Sequence, residues 1–222
     1  MKNLRFLVYG IRFNDSSSPL FEKMIYFHDL GMIILVYVSI LMIFVIICVV
    51  KSDRFSRRFL EKKTLEIVWT IIPAGVLILF AVPSIALLYY VEDPIEREEF
   101  FGDIIKVTGH QWYWRYEYRW NSEVSYDSFM VPYNELKKGF RLLEVDKPLI
   151  IEVCVNKLIK GVTDDVIHSW ACPSLGVKMD VVPGRLKRVR LISGYLGVFY
   201  GQCSEICGVK HSFMPIVVEA II

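Results

Sequence analysis

The sequence is poor in net charge, in cysteine and in repetition. Lysine and arginine number 26 against 24 aspartates and glutamates, a formal net charge of +2, which offers no electrostatic case for a nucleic-acid partner. Five cysteines in 222 residues are too few for a small disulfide-stapled scaffold. Glycine numbers 13 and follows no triplet period, which excludes a collagen-like fibre. A hydrophobic share of 54% excludes a disordered chain. There is no internal repeat and no low-complexity stretch. Charge is also missing locally: none falls between Asp29 and Lys51, and none between Glu66 and Glu92. With these two runs set aside, the rest of the chain has the apolar share of an ordinary globular domain.

What the two runs contain is apolar and long. A membrane helix needs about 20 apolar residues to cross about 30 Å. Leu30 to Val50 meets that length, and Ile67 to Val91 exceeds it and tilts. Two helices buried in a soluble core are the alternative, disfavoured by the length of both runs. Pro73 and Pro83 fall inside the second span, where neighbours and local adjustment satisfy the freed carbonyls. Tyr89 and Tyr90 end it at the level of an interfacial aromatic belt. The connection 51–66 carries Lys51, Arg54, Arg57, Arg58, Lys62 and Lys63 against Asp53, Glu61 and Glu66. Such a short basic loop stays on the cytoplasmic or matrix side, so both termini face the other side. The chain thus divides into an N-terminal outer segment (1–29), a transmembrane hairpin (30–91) and a slightly acidic outer domain (92–222). The start, MKNLRFLVYGIRF, is basic, but Arg5 and Arg12 interrupt any apolar core. It makes a poor secretory signal, while a short targeting segment stays open.

The outer domain reads as β. Residues 92–103 are acidic and polar, a linker. Strand-like runs follow at Ile104–Thr108, Trp112–Trp120, Leu149–Val155, Leu186–Ile192, Val198–Tyr200 and Ile216–Val218. Turn signals separate them at Lys138-Gly139, Asp146-Lys147-Pro148, Pro183-Gly184 and Ser193-Gly194. Many short strands without amphipathic helices predict a sandwich or small barrel.

The most informative segment is GQCSEICGVKHSFM, with the spacing Cys203-x3-Cys207-x3-His211-x2-Met214. Thiolate, imidazole and thioether are soft or borderline ligands that favour copper. Two thiolates in one tight loop can bridge two metal ions. A second imidazole has to come from elsewhere, and His168 in DDVIHSW is the candidate. A Cys203–Cys207 disulfide or a zinc site with His168 and His211 are the competing readings. A disulfide gives His211 no role, and zinc gives Met214 none. Cys48, Cys154 and Cys172 read as small buried hydrophobes, with Cys172 in a turn.

GQCSEICGVKHSFMPI, DDVIHSWACPSLGVKMDVVPGR, GHQWYWRYEY and EIVWTIIPA together resemble cytochrome c oxidase subunit II, through essentially the whole chain. The resemblance implies a membrane-anchored all-β protein: a two-helix transmembrane hairpin followed by a cupredoxin-like β-barrel domain. It implies a binuclear copper centre held by His168, Cys203, Cys207, His211, Met214 and the backbone carbonyl of Glu205, with the two thiolates bridging. The Glu205 carboxylate would reach a magnesium ion shared with subunit I, a hard ligand for a hard cation. Three positions depart from the family pattern: Cys172, Lys147-Pro148 and Cys154. None is a proposed ligand.

The resemblance also implies a role. The chain would accept electrons from reduced cytochrome c and pass them to the haem of subunit I, where oxygen is reduced to water with proton pumping. It would be an oxidase subunit and translocase component, itself an electron carrier. Trp112 would be the point where electrons enter. Without the family match, that aromatic run reads as a core or interfacial stripe. Glu117, Asp127, Asp146, Asp164 and Asp165 would form a negative face that steers a basic cytochrome c, although each alone reads as a solvated charge. Glu66 matches the acid at the inner mouth of a proton pathway, and equally reads as a helix-start carboxylate. Partners would be subunit I, other oxidase subunits and the lipid bilayer. The short length leans toward a mitochondrial inner membrane, with a bacterial plasma membrane as the alternative. A copper-free quinol oxidase subunit II, serving docking and structure, is the second functional reading. A membrane-tethered zinc or thiol-redox module is the third.

Overall fold

The computed structural model describes residues 13–53, 62–92, 103–118, 124–136 and 138–222. The targeting-segment reading, most of the basic loop, most of the acidic linker and the end of the Trp112–Trp120 run lie outside the described residues. The chain forms two compact units, one of residues 23–90 and one that joins the start of the chain to residues 91–222.

Two helices make up the first unit. Helix α1 spans Pro19–Val50 and α2 spans Lys63–Glu92. Both are apolar all round, so neither has a stripe to bury in a soluble core. Nearly all their side chains are exposed within the chain. Phe27 meets Phe80 edge to face at 6.2 Å, and the Lys23 ammonium lies 3.4 Å from the Tyr90 ring centre. The start of α1 thus pairs with the end of α2, as a hairpin requires. Both helices begin before their charge-free runs, at Pro19 rather than Leu30 and at Lys63 rather than Ile67. The apolar run marks the part that crosses the bilayer, whereas the helix continues until a cap stops it. Ser18 is that cap for α1: its Oγ accepts the Phe21 N–H at 3.1 Å, with Pro19 at the first helical position. Pro73 and Pro83 stand inside a continuous α2.

Ten strands form the outer domain: β1 Asp103–His110, β2 Tyr113–Tyr118, β3 Ser125–Ser128, β4 Leu149–Glu152, β5 Lys157–Thr163, β6 His168–Cys172, β7 Val177–Val181, β8 Lys187–Leu191, β9 Gly197–Gln202 and β10 Pro215–Ile221. They make a five-stranded sheet ordered β3-β2-β1-β5-β8, a three-stranded sheet ordered β4-β10-β9, and a β6-β7 ribbon. The β1–β5 and β4–β10 pairs are parallel and the others antiparallel. Ile105, Val107, Trp114, Tyr116, Ile159, Trp170, Met179, Leu191, Ile216 and Val218 fill the core between them.

The expected barrel is not closed. Among the described residues no backbone ladder joins β3 to β4. Tyrosine hydroxyls bridge that seam instead. Tyr118 Oη donates to the Ile150 carbonyl at 2.9 Å and accepts the Ile150 N–H at 2.7 Å, and Tyr126 Oη donates to the Pro148 carbonyl at 2.8 Å. A side-chain bridge holds two edges further apart than the ~4.8 Å of a paired ladder, so the domain is a sandwich of the cupredoxin type. Cys172 ends β6, fully buried, rather than lying in a turn. Cys154 is exposed and takes a left-handed backbone just after β4, φ 61°, which corrects its expected burial in a strand.

Within the N-terminal segment, residues 13–22 belong to the same compact unit as the β domain. Ser17 N–H donates to the Ser174 carbonyl at 2.9 Å and its carbonyl accepts from Gly194 N–H at 2.6 Å. Ser17 Oγ lies 3.0 Å from Ser193 Oγ, and Ser18 Oγ donates to the Leu175 carbonyl at 2.7 Å. Phe21 is buried against Gly176.

Candidate metal centre

Two elements far apart in sequence build the site. Strand β6 supplies His168, fully buried. The loop after β9 supplies Cys203, Glu205, Cys207, His211 and Met214. The loop is tied back to β6 by Ser204 N–H donating to the Ser169 carbonyl at 3.0 Å. Trp114 supports both sides: its ring meets His168 edge to face at 5.8 Å, and its Nε1–H donates to the Met214 carbonyl at 3.2 Å. Gly109 allows the close packing, since a β-carbon there would lie 3.0 Å from the His168 ring.

The donor atoms converge. Cys203 Sγ lies 3.9 Å from Cys207 Sγ, 4.0 Å from His168 Nδ1 and 3.4 Å from the Glu205 carbonyl oxygen. Cys207 Sγ lies 3.4 Å from His211 Nδ1 and 3.4 Å from Met214 Sδ. His168, Cys203 and Cys207 form a group whose ligand atoms lie within 4.8 Å of one another. Two donors about 2.3 Å from one ion, at a tetrahedral angle, sit about 3.8 Å apart, so this spacing suits metal ligation. It is too wide for a disulfide, whose sulfurs are about 2.05 Å apart, and all five cysteines are free.

The electrostatics favour one thiolate at a time. Burial works against ionising Cys203, but hydrogen bonds from His168, the Ser169 and Glu205 backbone and Cys207 outweigh it, and its pKa falls. Burial, and then the charge of its neighbour, push the Cys207 pKa up. A cation between the sulfurs removes that conflict, and binding displaces the protons. Burial lowers the His168 pKa, but contacts with Cys203 and Asp165 more than compensate and it rises.

Asp165 orients His168. Its Oδ1 lies 2.8 Å from His168 Nε2, which leaves Nδ1 facing Cys203. Asp165 also accepts from Gln111 N–H at 2.6 Å, Val166 N–H at 2.6 Å and Thr163 Oγ1 at 2.9 Å. These bonds overcome the cost of burial and lower its pKa. A ligating imidazole held by a carboxylate at its far nitrogen is the usual outer-shell arrangement. Gln111 closes the circuit by donating from Nε2 to the Cys207 carbonyl at 2.8 Å. The functional parts played by Gln111 and Gly109 are missed by sequence reasoning, although both sit in the GHQWYW motif.

Trp112, half-buried, lies against this loop, with Nε1–H donating to the Cys207 carbonyl at 3.3 Å. Gly208 (φ +123°) is where the loop needs a residue without a side chain: a β-carbon would meet the Trp112 ring at 3.0 Å. The predicted acids are mostly engaged elsewhere. Glu117 pairs with Lys106 at 3.2 Å, Asp127 with Arg115 at 2.7 Å, and Asp146 accepts the Phe129 N–H at 2.8 Å. Asp164 is exposed. Glu66 is exposed in the first turn of α2, in the helix unit. The half-buried Glu205 brings its carbonyl oxygen to Cys203.

A hairpin of two membrane-length apolar helices followed by a cupredoxin-like domain with a Cys/His cluster that could hold a metal ion defines the class as a membrane-tethered protein with a candidate metal site. The comparisons narrow this further. The cytochrome c oxidase subunit II periplasmic-domain family matches residues 104–221, and the transmembrane-domain family of the same subunit matches residues 7–87. The chain belongs to the cytochrome c oxidase subunit II family. It is similar to the periplasmic domain of cytochrome oxidase subunit II of Bradyrhizobium japonicum, with 41% identity over 55% of this chain and 85% of that one, TM-score 0.51. A subunit II captured as a mixed disulfide with a thioredoxin-like protein is 40% identical over 55% of this chain and 82% of that one, TM-score 0.47. A chain of a heme-copper terminal oxidase dimer is 16% identical over 68% of this chain and 97% of that one, TM-score 0.43. The family is that of an oxidase subunit, so catalysis belongs to the complex and not to this chain alone.

Proposed function

We propose that the chain is the electron-accepting subunit of a terminal oxidase: it takes electrons from reduced cytochrome c and hands them to the haem of subunit I, where oxygen reduction and proton pumping occur. The observation that carries this reading is the convergence of six donor groups from β6 and the loop 203–214. His168, Cys203, Cys207, His211, Met214 and the Glu205 carbonyl would hold a copper pair, with Cys203 and Cys207 as bridges. When bound, such a pair supplies one-electron chemistry shared over two metals and two sulfurs. The chain's residues keep that site rigid. Asp165 fixes the His168 ring, Gln111 and Trp112 hold the Cys207 carbonyl, and Trp114 excludes water behind His168 and Met214. Trp112 would face the donor. The Glu205 carboxylate would bind magnesium with subunit I, and Glu66 would serve the proton pathway. Asp164 is the predicted docking acid with the freest carboxylate. The membrane would be the mitochondrial inner membrane or a bacterial plasma membrane, with the β domain outside.

Copper analysis and an absorption spectrum of the purified full chain test this reading. About two coppers per chain, with the intense colour of a mixed-valence pair, is the expected result. Copper near zero in a folded chain favours the copper-free quinol oxidase subunit, and a colourless zinc-loaded chain the third reading. Cys207→Ser should yield a mononuclear or empty site; retention of the native two-copper signal contradicts the bridging role.

A further inference from the structure

The rim of the metal loop carries a charge opposite to the one expected of a surface that docks a basic donor. Lys210 is exposed, and its Nζ lies 5.8 Å from the centre of the Trp112 ring, within the range of a cation–π contact. Beside it stand Ile206, 79% exposed, and Val209, 92% exposed. Of the acids read as a docking face, Glu117 and Asp127 are paired with cations, Asp146 and Asp165 accept backbone N–H groups, and Asp164 is exposed. The loop beside Trp112 thus presents exposed apolar side chains and a cation, Lys210, rather than a uniformly acidic face.

We infer that Lys210 is a specificity determinant of donor docking: this surface selects a c-type cytochrome whose contact face is apolar and presents a neutral or acidic side chain opposite Lys210. The inference rests on the proposed role of Trp112 as the donor-facing residue. Apolar contact by Ile206 and Val209 gives affinity that salt does not screen, while Lys210 sets which charge is tolerated at the centre. Two unit charges about 4 Å apart in bulk water interact by about 1 kcal/mol, about a fivefold change in affinity per facing charge.

The test uses the assembled oxidase carrying Lys210→Gln, Lys210→Glu or Trp112→Phe. The two donors are a reduced cytochrome c with lysines around its haem edge and a variant with one of those lysines changed to glutamate. Lys210→Glu, a change of two charge units, should lower KM for the lysine-ringed donor by about 25-fold and raise it for the glutamate donor. Lys210→Gln should fall between, and the effect should lie in KM rather than kcat, with copper content and spectrum unchanged. An unchanged KM for both donors in both Lys210 variants, with turnover lost in Trp112→Phe, overturns the inference and leaves the docking site in place. Full turnover by Trp112→Phe with both donors overturns the docking reading itself.

Discussion

Asp165 shows how one side chain takes up several tasks that spacing alone cannot assign. In the sequence it stands three residues before His168, among charges that read as a docking face. In the fold its carboxylate is used on His168 and on three other donors. Removing it leaves the Gln111 N–H and His168 Nε2 without their acceptor. Asp165→Ala should cost about 1–2 kcal/mol of stability and about 10- to 100-fold in metal affinity, read by thermal unfolding and by competition with a copper chelator. If only KM for the donor changed, Asp165 would be a docking charge after all. Met214 behaves differently, because its sulfur touches Cys207 Sγ at 3.4 Å and a weak thioether ligand tunes a copper site's potential. Met214→Leu should shift the midpoint potential while leaving copper bound. An unmoved potential, measured by redox titration, argues against Met214 as a ligand.

Among the elements, the junction between Ser17 and Phe21 is the least expected. It is a helix start and a clasp on the β domain at once. Ser18 Oγ accepts the Phe21 N–H, capping α1, and donates to the Leu175 carbonyl. Losing an N-cap serine costs about 1–2 kcal/mol. Ser18→Ala should therefore open the clasp about five- to thirtyfold more often, seen as faster hydrogen exchange at Gly194 N–H, which donates to the Ser17 carbonyl. Unchanged exchange there would show that the clasp does not hold the segment. The strands tell a similar story of local signal and tertiary override. β8 is legible from the alternation of Val189 and Leu191 with Arg188 and Arg190, and β10 from its apolar run. β7, VKMDV, alternates buried and exposed and carries a period-two signal over only five residues. β5, KLIKGVT, was not legible, because it buries Lys157, Lys160 and Gly161 positions that no apolar pattern announces. β3, SYDS, has too little apolar character to stand out.

For the molecule as a whole, metal and fold are linked. The cluster His168, Cys203 and Cys207 is buried, and the unfolded chain cannot assemble it, so a bound ion stabilises the folded state. At a hundredfold excess over Kd the linkage is about 2.7 kcal/mol, a rise in Tm on the order of 10 °C for a domain of this size. Stripping copper with a chelator and rescanning should reverse that rise. Equal Tm values with and without copper would mean that the metal does not use the folded cluster.

Local chemistry in the sequence determined the two spans, the β character of the outer domain and the candidate side-chain donors Cys203, Cys207, His211 and Met214. Apolar run length, strand propensity and ligand type are properties of short segments, and neighbours several strands away do not alter them. The tertiary structure decided the rest. It brought His168 from β6 to the loop 203–214, set the Asp165 carboxylate on the His168 ring, paired Glu117 and Asp127 with cations, and left Lys210 over Trp112. Those outcomes depend on which strands lie side by side and on what each buried polar group finds as a partner. Both are settled by packing and hydrogen-bond satisfaction across the whole domain.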